Sequence, residues 1–103
     1  MTARLSITEG LPSKSAHDLK RLGSFTLGRR SQCDLFLPDK SVSRKHCRID
    51  YDGETYWLID SGSHNGTYVN GERVTHYMLH DGDHIKVGRV ELGFSNPETA
   101  DDD

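Results

Sequence analysis

The chain has 103 residues, of which 33% are hydrophobic, and its formal net charge is −3. This length supports one domain with a single core, and the chain contains no run of about 18 apolar residues that could span a membrane. The three C-terminal aspartates, at residues 101–103, account for the whole net charge, so the remaining chain has no overall bias towards nucleic acid. The N-terminal residues lack an apolar secretory segment, and only two cysteines are present, which indicates an intracellular, cytoplasmic protein with reduced thiols.

Apolar residues alternate with polar ones at a period of two along most of the chain, which predicts strands. The alternating segments lie at residues 3–7, 25–27, 35–37, 47–51, 56–60, 85–87 and 90–94. No segment keeps an amphipathic helical pattern for more than about two turns. Many short strands at near-regular spacing predict an all-β sandwich or barrel.

The connections between these segments carry turn residues with known backbone preferences. Asp52-Gly53 and Asn70-Gly71 are dipeptides that favour type I′ turns, which need positive φ at both central residues. Residues 11–23 lack alternation and predict a long loop, with one helical turn at residues 16–19. Residues 95–103 are polar and acidic, so we expect a disordered tail or linker after a domain that spans residues 1–94.

Positive charge is concentrated between residues 29 and 48. This segment contains two aspartates and six basic residues, which are Arg29, Arg30, Lys40, Arg44, Lys45 and Arg48. An anionic ligand and a solvated face are both compatible with that excess. A nucleic-acid partner is not expected, because few aromatic side chains are available to interleave with the basic residues and the net charge is not basic.

The stretch at residues 60–71, Asp-Ser-Gly-Ser-His-Asn-Gly-Thr-Tyr-Val-Asn-Gly, places polar side chains among three glycines between two apolar runs. A surface loop of this composition can hold a ligand. Upstream, Gly28-Arg29 offers a guanidinium and Ser43 a hydroxyl, while Asn65 in the stretch itself offers a carboxamide. Arginine can bind a phosphate through two parallel hydrogen bonds, so the three loops together predict a phosphate receptor.

Each of these residues also has a purely structural interpretation. Arg29 alone fits a solvated residue at the rim of the sheet, Ser43 a turn serine bonded to its own backbone, and Asn65 a left-handed turn residue. His46 lies where a loop meets a strand, and we expect it to be a structural histidine that is hydrogen-bonded across the loop.

We expect no catalytic centre, metal site or cofactor. His76, His80 and His84 are spaced by four residues, which would align a metal site on a helix, but the strand pattern at residues 85–87 argues against a helix there. The Ser-x-x-His motif at Ser43 has no accompanying oxyanion-hole motif, and no nucleophile has an adjacent base. These observations favour a binding module over an enzyme.

In their order and spacing the motifs resemble the forkhead-associated (FHA) domain family. They are Gly28-Arg29, Cys33-Asp34-Leu35, Ser-Arg-Lys-His-Cys at residues 43–47, the stretch at residues 60–71, and Leu-x-Asp-Gly-Asp-x-Ile-x-Val-Gly at residues 79–88. The resemblance covers residues 5–94. It implies an all-β sandwich of about eleven strands in two twisted sheets. It also implies that loops at one end of the sandwich bind a phosphothreonine-containing peptide.

The resemblance implies roles for individual residues as well. Arg29 is expected to bind the phosphate through its guanidinium, Ser43 to add a hydroxyl hydrogen bond, and Asn65 to bond the peptide main chain. Arg44 matches a loop position that contacts phosphate or peptide. Four further residues match positions that hold the loops in shape, namely Gly28, His46, Gly66 and Thr67.

Two positions depart from the family pattern. His64 stands where the family often has serine, threonine or a basic residue that reaches the phosphate, and a histidine facing the ligand would carry a pH-dependent charge. Ser41 matches a position that is basic in some members and there selects an acidic residue after the phosphothreonine. The serine leaves this sequence preference open.

The expected partner is a threonine-phosphorylated protein or peptide, either in another protein or in a segment of the parent protein itself, and neither nucleic acid nor a membrane is expected. The alternative is a scaffold of the same fold that binds partners without phosphate through a sheet face. The presence of Arg29, Ser43 and Asn65 favours the phosphate-dependent role.

Overall fold

The computed structural model describes residues 3–19 and 23–97, which contain eleven strands and no helix. The strands are β1 Arg4–Glu9, β2 Ala16–Asp18, β3 Gly23–Gly28, β4 Leu35–Phe36, β5 Cys47–Tyr51, β6 Tyr56–Asp60, β7 Thr67–Val69, β8 Glu72–Val74, β9 His76–Met78, β10 His84–Val87 and β11 Val90–Ser95. Within these ranges no helix has the length and hydrophobicity needed to cross a membrane. The predicted all-β sandwich is confirmed.

The strands form two sheets that pack face to face. One sheet has six strands in the order β2-β1-β11-β10-β7-β8, and the other has five in the order β4-β3-β5-β6-β9. All paired strands are antiparallel except β3 and β4. Both sheets supply core side chains with at most 1% exposure, among them Leu5, Ile85 and Leu92 from one, and Leu27, Ile49 and Leu58 from the other. Burying each such side chain contributes roughly 1.5–3 kcal/mol, which holds the sheets together.

The two predicted type I′ turns have different outcomes. At Asn70-Gly71, between β7 and β8, both residues have positive φ, at 51° and 90°, so that prediction is confirmed. At Asp52-Gly53 only the glycine has a positive φ. The Asp52 carboxylate instead accepts hydrogen bonds from the backbone N–H groups of Glu54 and Thr55, at 2.9 and 2.8 Å. The prediction there was wrong, because the aspartate side chain closes a longer loop between β5 and β6.

The helical turn predicted at residues 16–19 was also wrong. Ala16–Asp18 is strand β2, which pairs antiparallel with β1. The Leu19 backbone N–H extends the pairing by donating to the Ala3 carbonyl at 2.9 Å, and both side chains are buried. The open edge of β1 offers hydrogen bonds and a core to pack against, and this tertiary environment overrides a weak local preference for helix.

The folded chain extends beyond residue 94, the predicted end of the domain. Ser95 ends β11, and Asn96 is buried and donates its backbone N–H to Asp81 Oδ1 at 2.7 Å. Asp81 lies in the turn before β10, so this contact fastens the end of β11 to its neighbouring strand. The rest of the predicted tail, at residues 98–103, lies outside the described residues.

Candidate functional site

Three loops meet at one end of the five-stranded sheet. They are the β3–β4 loop (residues 29–34), the β4–β5 loop (residues 37–46) and the β6–β7 loop (residues 61–66). Their convergence follows from the strand register, in which Leu27 pairs with Cys47 and Cys47 pairs with Asp60. These three residues lie in one row across the antiparallel strands. The chain therefore leaves β3, enters β5 and leaves β6 at the same end of the sheet.

Arg29 is the first residue after β3, and its side chain is oriented by the neighbouring loop. Its backbone N–H donates to the Ser43 carbonyl at 3.0 Å, and its Nε donates to the Val42 carbonyl at 2.9 Å. These bonds fix the guanidinium plane against the β4–β5 loop. The two Nη groups remain to donate to a ligand.

Gly28 allows the β3 and β4–β5 segments to approach each other closely. A Cβ at this position would lie 2.1 Å from the Arg44 carbonyl oxygen and 3.0 Å from Cys33 Sγ. The residue does not have positive φ. The glycine is therefore required by close packing and not by a left-handed backbone conformation.

His46 joins two of the three loops from a fully buried position. Its Nδ1 accepts a hydrogen bond from the Ser43 backbone N–H at 3.0 Å, and its Nε2 donates to the Gly66 carbonyl at 2.9 Å. A ring that accepts at one nitrogen and donates at the other is neutral. Burial lowers the pKa of His46 below its ordinary value, against the opposing effects of the Gly66 hydrogen bond and the charge of Asp60. The ring therefore stays neutral over a wider pH range than a free histidine.

Asp60 organises the start of the β6–β7 loop. Its Oδ1 accepts from the hydroxyls of Ser63 and Thr67 at 2.6 and 2.7 Å, and its Oδ2 accepts from the backbone N–H groups of Gly62 and Ser63. Burial raises the pKa of Asp60, but the hydrogen bonds from Ser63, Thr67 and Gly62 outweigh it, and the pKa lies below its ordinary value. The Ser63 hydroxyl oxygen in turn accepts from the Gly66 N–H at 3.0 Å.

The β6–β7 and β4–β5 loops are joined by two further hydrogen bonds. The backbone N–H of His64 donates to Ser43 Oγ at 3.0 Å, and Asn65 Nδ2 donates to the Ser41 carbonyl at 2.8 Å. Ser43 still has its hydroxyl proton to donate, and Asn65 retains its carbonyl oxygen and one N–H. The two polar groups are therefore oriented by the protein and keep capacity for a ligand.

The loop residues that carry these groups surround a cavity of about 220 Å³. It is lined by Arg29, Lys40, Ser41, Val42, Ser43, His64 and Asn65. Four of the five residues predicted to bind phosphopeptide are thus together. The fifth, Arg44, is exposed and adjacent, but its side chain does not line the wall, while its carbonyl accepts the Arg30 backbone N–H at 3.3 Å. Lys40 also lines the cavity, although the sequence placed it only in the basic segment. Its position three residues before Ser43, in the same loop, could have indicated that it lies at this site.

The comparisons with known proteins agree with this architecture. The family model for the FHA domain matches residues 25–88, which include all three loops. The chain belongs to the FHA domain family. The resemblance identified from the motifs is thereby confirmed.

Two solved FHA structures are similar to this FHA domain over nearly its whole length. One comes from a study of phosphothreonine-dependent FHA domain interactions, with a TM-score of 0.86 and 36% identity, covering 93% of this chain and 97% of that one. The other is the FhaA FHA domain in complex with the intracellular domain of Rv3910, with a TM-score of 0.83 and 38% identity, covering 90% of this chain and 99% of that one.

A longer relative matches most of this chain in sequence. The glycogen accumulation regulator GarA of Mycolicibacterium smegmatis is 36% identical over 110 residues, which cover 95% of this chain and 70% of GarA. Both the structural and the sequence relatives thus place the matched region across the two sheets and the loops at their end.

The side chain of Ser41 faces away from the cavity of this FHA domain. Its hydroxyl and backbone N–H both donate to Asp39 Oδ2, and its hydroxyl oxygen accepts from the Arg89 backbone N–H at 2.8 Å. The hydrogen bonds from Ser41, with a smaller contribution from the Arg89 charge, lower the pKa of Asp39. Ser41 therefore fastens the β4–β5 loop to the turn between β10 and β11.

The cysteines and histidines that the sequence singled out do not form a metal or disulfide site. Both cysteines are free thiols, and no cluster of metal-binding side chains occurs in residues 3–19 and 23–97. Burial raises the pKa of the Cys47 thiol to about 12, so this residue behaves as a core side chain. Cys33 is only partly buried, and its thiol donates to the Arg44 carbonyl at 3.4 Å. Of the two cysteines, only Cys47 is therefore a core residue.

Proposed function

We propose that this FHA domain binds threonine-phosphorylated proteins or peptides in the cavity between its three loops. The observation that carries the proposal is the convergence of Arg29, Ser43 and Asn65 on that cavity. Each of these side chains is already oriented by a hydrogen bond to the backbone of a neighbouring loop. The related structures support the ligand class, since one belongs to a study of phosphothreonine-dependent interactions.

In the proposed complex Arg29 binds the phosphate through its Nη groups and Ser43 donates its hydroxyl proton to a phosphate oxygen. A phosphothreonine carries about −1.5 to −2 charge near neutral pH. Hydrogen bonds to charged groups contribute roughly 1.5–3 kcal/mol each. Two or three of them, less the cost of ordering a flexible peptide, give an affinity of the order of micromolar.

Asn65 binds the peptide main chain beside the phosphothreonine, because a carboxamide can both donate to a peptide carbonyl and accept from a peptide N–H. Arg44 adds the positive charge of its guanidinium beside the phosphate, and His64 lies on the wall that faces the phosphate. Gly28, His46, Gly66 and Thr67 keep the loops in the geometry that these contacts need.

Selectivity for phosphothreonine over phosphoserine arises from the γ-methyl group. Val42 is the apolar residue of the cavity lining, and burying one methyl group is worth only about 0.8 kcal/mol. Threonine is also β-branched, so its χ1 angle is restricted and its phosphate is oriented before binding. We expect both effects to contribute.

The proposed role is non-catalytic, and it places the domain inside the cell. The cavity offers hydrogen-bond donors to a phosphate, and its Ser43 hydroxyl is bonded to the backbone N–H of His64 and not to a base that would activate it. An intracellular location suits a receptor for the products of protein kinases, and the free thiols support it.

Fluorescence anisotropy with a phosphothreonine peptide library tests the proposal. The wild type should bind selected peptides in the micromolar range and bind their unphosphorylated and phosphoserine forms much more weakly. Arg29→Ala should lower the affinity by about 100-fold, because it removes two charge-assisted hydrogen bonds. Arg4→Ala is the matched control, since Arg4 is exposed on β1 and paired with Asp18 away from the loops.

Equal binding of phosphorylated and unphosphorylated peptides would reject this proposal. That result would instead favour the alternative scaffold role, in which a sheet face binds partners without phosphate.

A further inference from the structure

The β9 strand forms one open edge of the five-stranded sheet. Its backbone bonds to β6 are flanked by the Thr75 carbonyl, which accepts at 3.0 Å, and by the Leu79 N–H, which donates at 2.9 Å. Backbone groups alternate in direction along a strand, so Tyr77 also faces β6, while His76 and Met78 direct their N–H and C=O groups away from the sheet. Within residues 3–19 and 23–97 no hydrogen bond reaches these outward groups.

The side chains beside this edge are apolar or aromatic. On the outer face of the sheet Trp57 stands opposite Met78, and Ile59 stands opposite His76. Met78 is 40% exposed, and the Trp57 and His76 rings lie 4.8 Å apart. No aspartate, glutamate, lysine or arginine belongs to β9. The edge therefore combines free backbone groups with a weakly polar surface, and this combination favours the addition of another strand.

The other three edge strands carry features that oppose such an addition. In the six-stranded sheet, β2 ends at Asp18, which is paired with Arg4, and β8 contains Glu72 and Arg73. At the opposite edge of the five-stranded sheet, β4 has only two residues, and Pro38, which has no N–H to donate, follows closely. Charges, proline and short length all protect an edge against pairing. Among the edges of the two described sheets, β9 alone lacks this protection.

A second copy of β9 matches this edge in register. A two-fold axis perpendicular to the sheet can place Tyr77 opposite its own copy, with His76 of each strand opposite Met78 of the other. All four outward backbone groups of each copy are then bonded, because opposite residues at these positions exchange two N–H to C=O bonds. On the outer face, each Met78 side chain lies between its own Trp57 and the other copy's His76.

Symmetry and order both favour a second copy over other strands. A two-fold axis brings equivalent side chains together, so an edge with a charge of one sign would repel itself, whereas β9 does not. A flexible peptide would lose backbone entropy at each residue that it orders, and this loss is comparable to the net gain from one hydrogen bond. The β9 strand of a folded copy is already ordered by its own sheet.

We propose that the β9 edge is a self-association surface, through which two copies of this domain pair into one ten-stranded sheet. The contact is small, so the dimer is weak, with a dissociation constant on the order of 100 µM. The described residues that line the cavity between the three loops lie outside β6 and β9. Antiparallel pairing therefore leaves both cavities open, at opposite ends of the dimer. This inference does not depend on which ligand the cavities bind.

Sedimentation equilibrium of the wild type between about 10 µM and 1 mM tests the inference. The weight-average mass should rise from that of the monomer towards about twice that value, equally at low and high salt, because no charged pair joins the two strands. In a mixture of isotope-labelled and unlabelled protein, NMR should detect a nuclear Overhauser effect between the α-protons of the two Tyr77 residues. Their Cα atoms lie about 4.5 Å apart in this register.

Met78→Lys should weaken the association at least about tenfold, because it places two charges at the paired edges. Phe36→Lys is the matched control: Phe36 is 46% exposed on the outer face of the same sheet, at its opposite edge, and this variant should associate as the wild type does. Backbone NMR spectra verify that both variants are folded.

Four results would overturn the inference. One is a wild type that stays monomeric at about 1 mM, which would leave the β9 edge to a strand of another protein. The others are an association that Met78→Lys does not weaken, one that Phe36→Lys weakens equally, and one that falls steeply with salt.

Discussion

The two ends of the five-stranded sheet are stabilised in different ways. At the far end, the β5–β6 loop is closed locally, by Asp52 bonding residues two and three positions ahead. At the binding end, the bonds from His46 to Gly66, from His64 to Ser43 and from Asn65 to Ser41 join residues 20, 21 and 24 positions apart. The binding loops thus depend on the whole fold for their shape, and this pre-organisation lowers the cost of ordering them around a ligand.

Among the substitutions considered, the replacement of His46 should have the largest effect on stability, because His46 makes one of the long-range bonds of the binding end. His46→Ala leaves the Ser43 N–H and the Gly66 carbonyl without partners and opens a buried space, so we expect about 2–4 kcal/mol less unfolding free energy. Phosphopeptide affinity should fall with it, because two loops are released. Urea denaturation and anisotropy measure both quantities, and wild-type affinity in this variant would show that the loops are ordered independently of the histidine.

Asn65→Ala should act on binding far more than on stability. The variant loses the proposed main-chain contacts and the bond to Ser41, so we expect about tenfold weaker phosphopeptide binding. Its unfolding free energy should change by less than about 1 kcal/mol, because the side chain is exposed. Calorimetric titration and denaturation would contradict this assignment if stability fell and affinity did not.

The neutral His46 ring should make stability pH-dependent. The folded state lowers the pKa of His46, so the unfolded chain takes up the proton first as pH falls below about 6.5. The contribution of His46 to the free energy of unfolding is therefore complete above that pH. It declines as the pH falls towards the lower folded-state pKa, by at most about 1.4 kcal/mol per pH unit. Denaturation between about pH 7.5 and 5.5 should show a shallower slope in His46→Ala than in wild type. Equal slopes would mean that the ring is not held neutral.

Asp52→Ala, at the far end, should have a small and purely local effect. The variant removes two hydrogen bonds that close one surface loop, so we expect the Tm to fall by only a few degrees. Phosphopeptide affinity should stay within about twofold of wild type, because both bonds of the Asp52 carboxylate lie within the β5–β6 loop. A large change in affinity would show that the two ends are coupled.

The smallest expected effect concerns His64, which lines the cavity and donates its backbone N–H to Ser43. His64→Ala keeps that backbone bond and removes one exposed side chain, so phosphopeptide affinity should fall by about twofold at most. Calorimetry that finds a much larger loss would show that the imidazole makes a direct contact with the phosphate.

The sequence predicted the sheets well because the period-two alternation directly reflects burial. Tyr56 and Leu58 are buried and Trp57 between them is not, as the pattern of β6 required. The β2 strand was missed because its pairing depends on the free edge of β1, which no local pattern reveals. The Asp52 loop was missed for a related reason. The Asp52 carboxylate accepts the Glu54 N–H, which a type I′ turn would bond to a backbone carbonyl.

For the candidate site, the sequence predicted the residues but not their connections. The motif order identified Arg29, Ser43 and Asn65, and the structure places all three on one cavity. Asp60 was not recognised as the residue that organises the β6–β7 loop, although an aspartate commonly closes a turn by accepting the backbone N–H two residues on, as Asp60 does with Gly62. The outward direction of the Ser41 side chain depends on the turn at Arg89, 48 residues away, and could not be read from its own segment.

The buried imidazole of His46 also gives the domain an internal spectroscopic reporter. Its Nε2 proton is bonded to the Gly66 carbonyl and shielded from water, so it should exchange slowly with solvent. Such a proton yields a separate NMR resonance well away from the crowded amide region. One unlabelled signal would thus show, in the free protein and in any complex, whether the β4–β5 and β6–β7 loops remain joined.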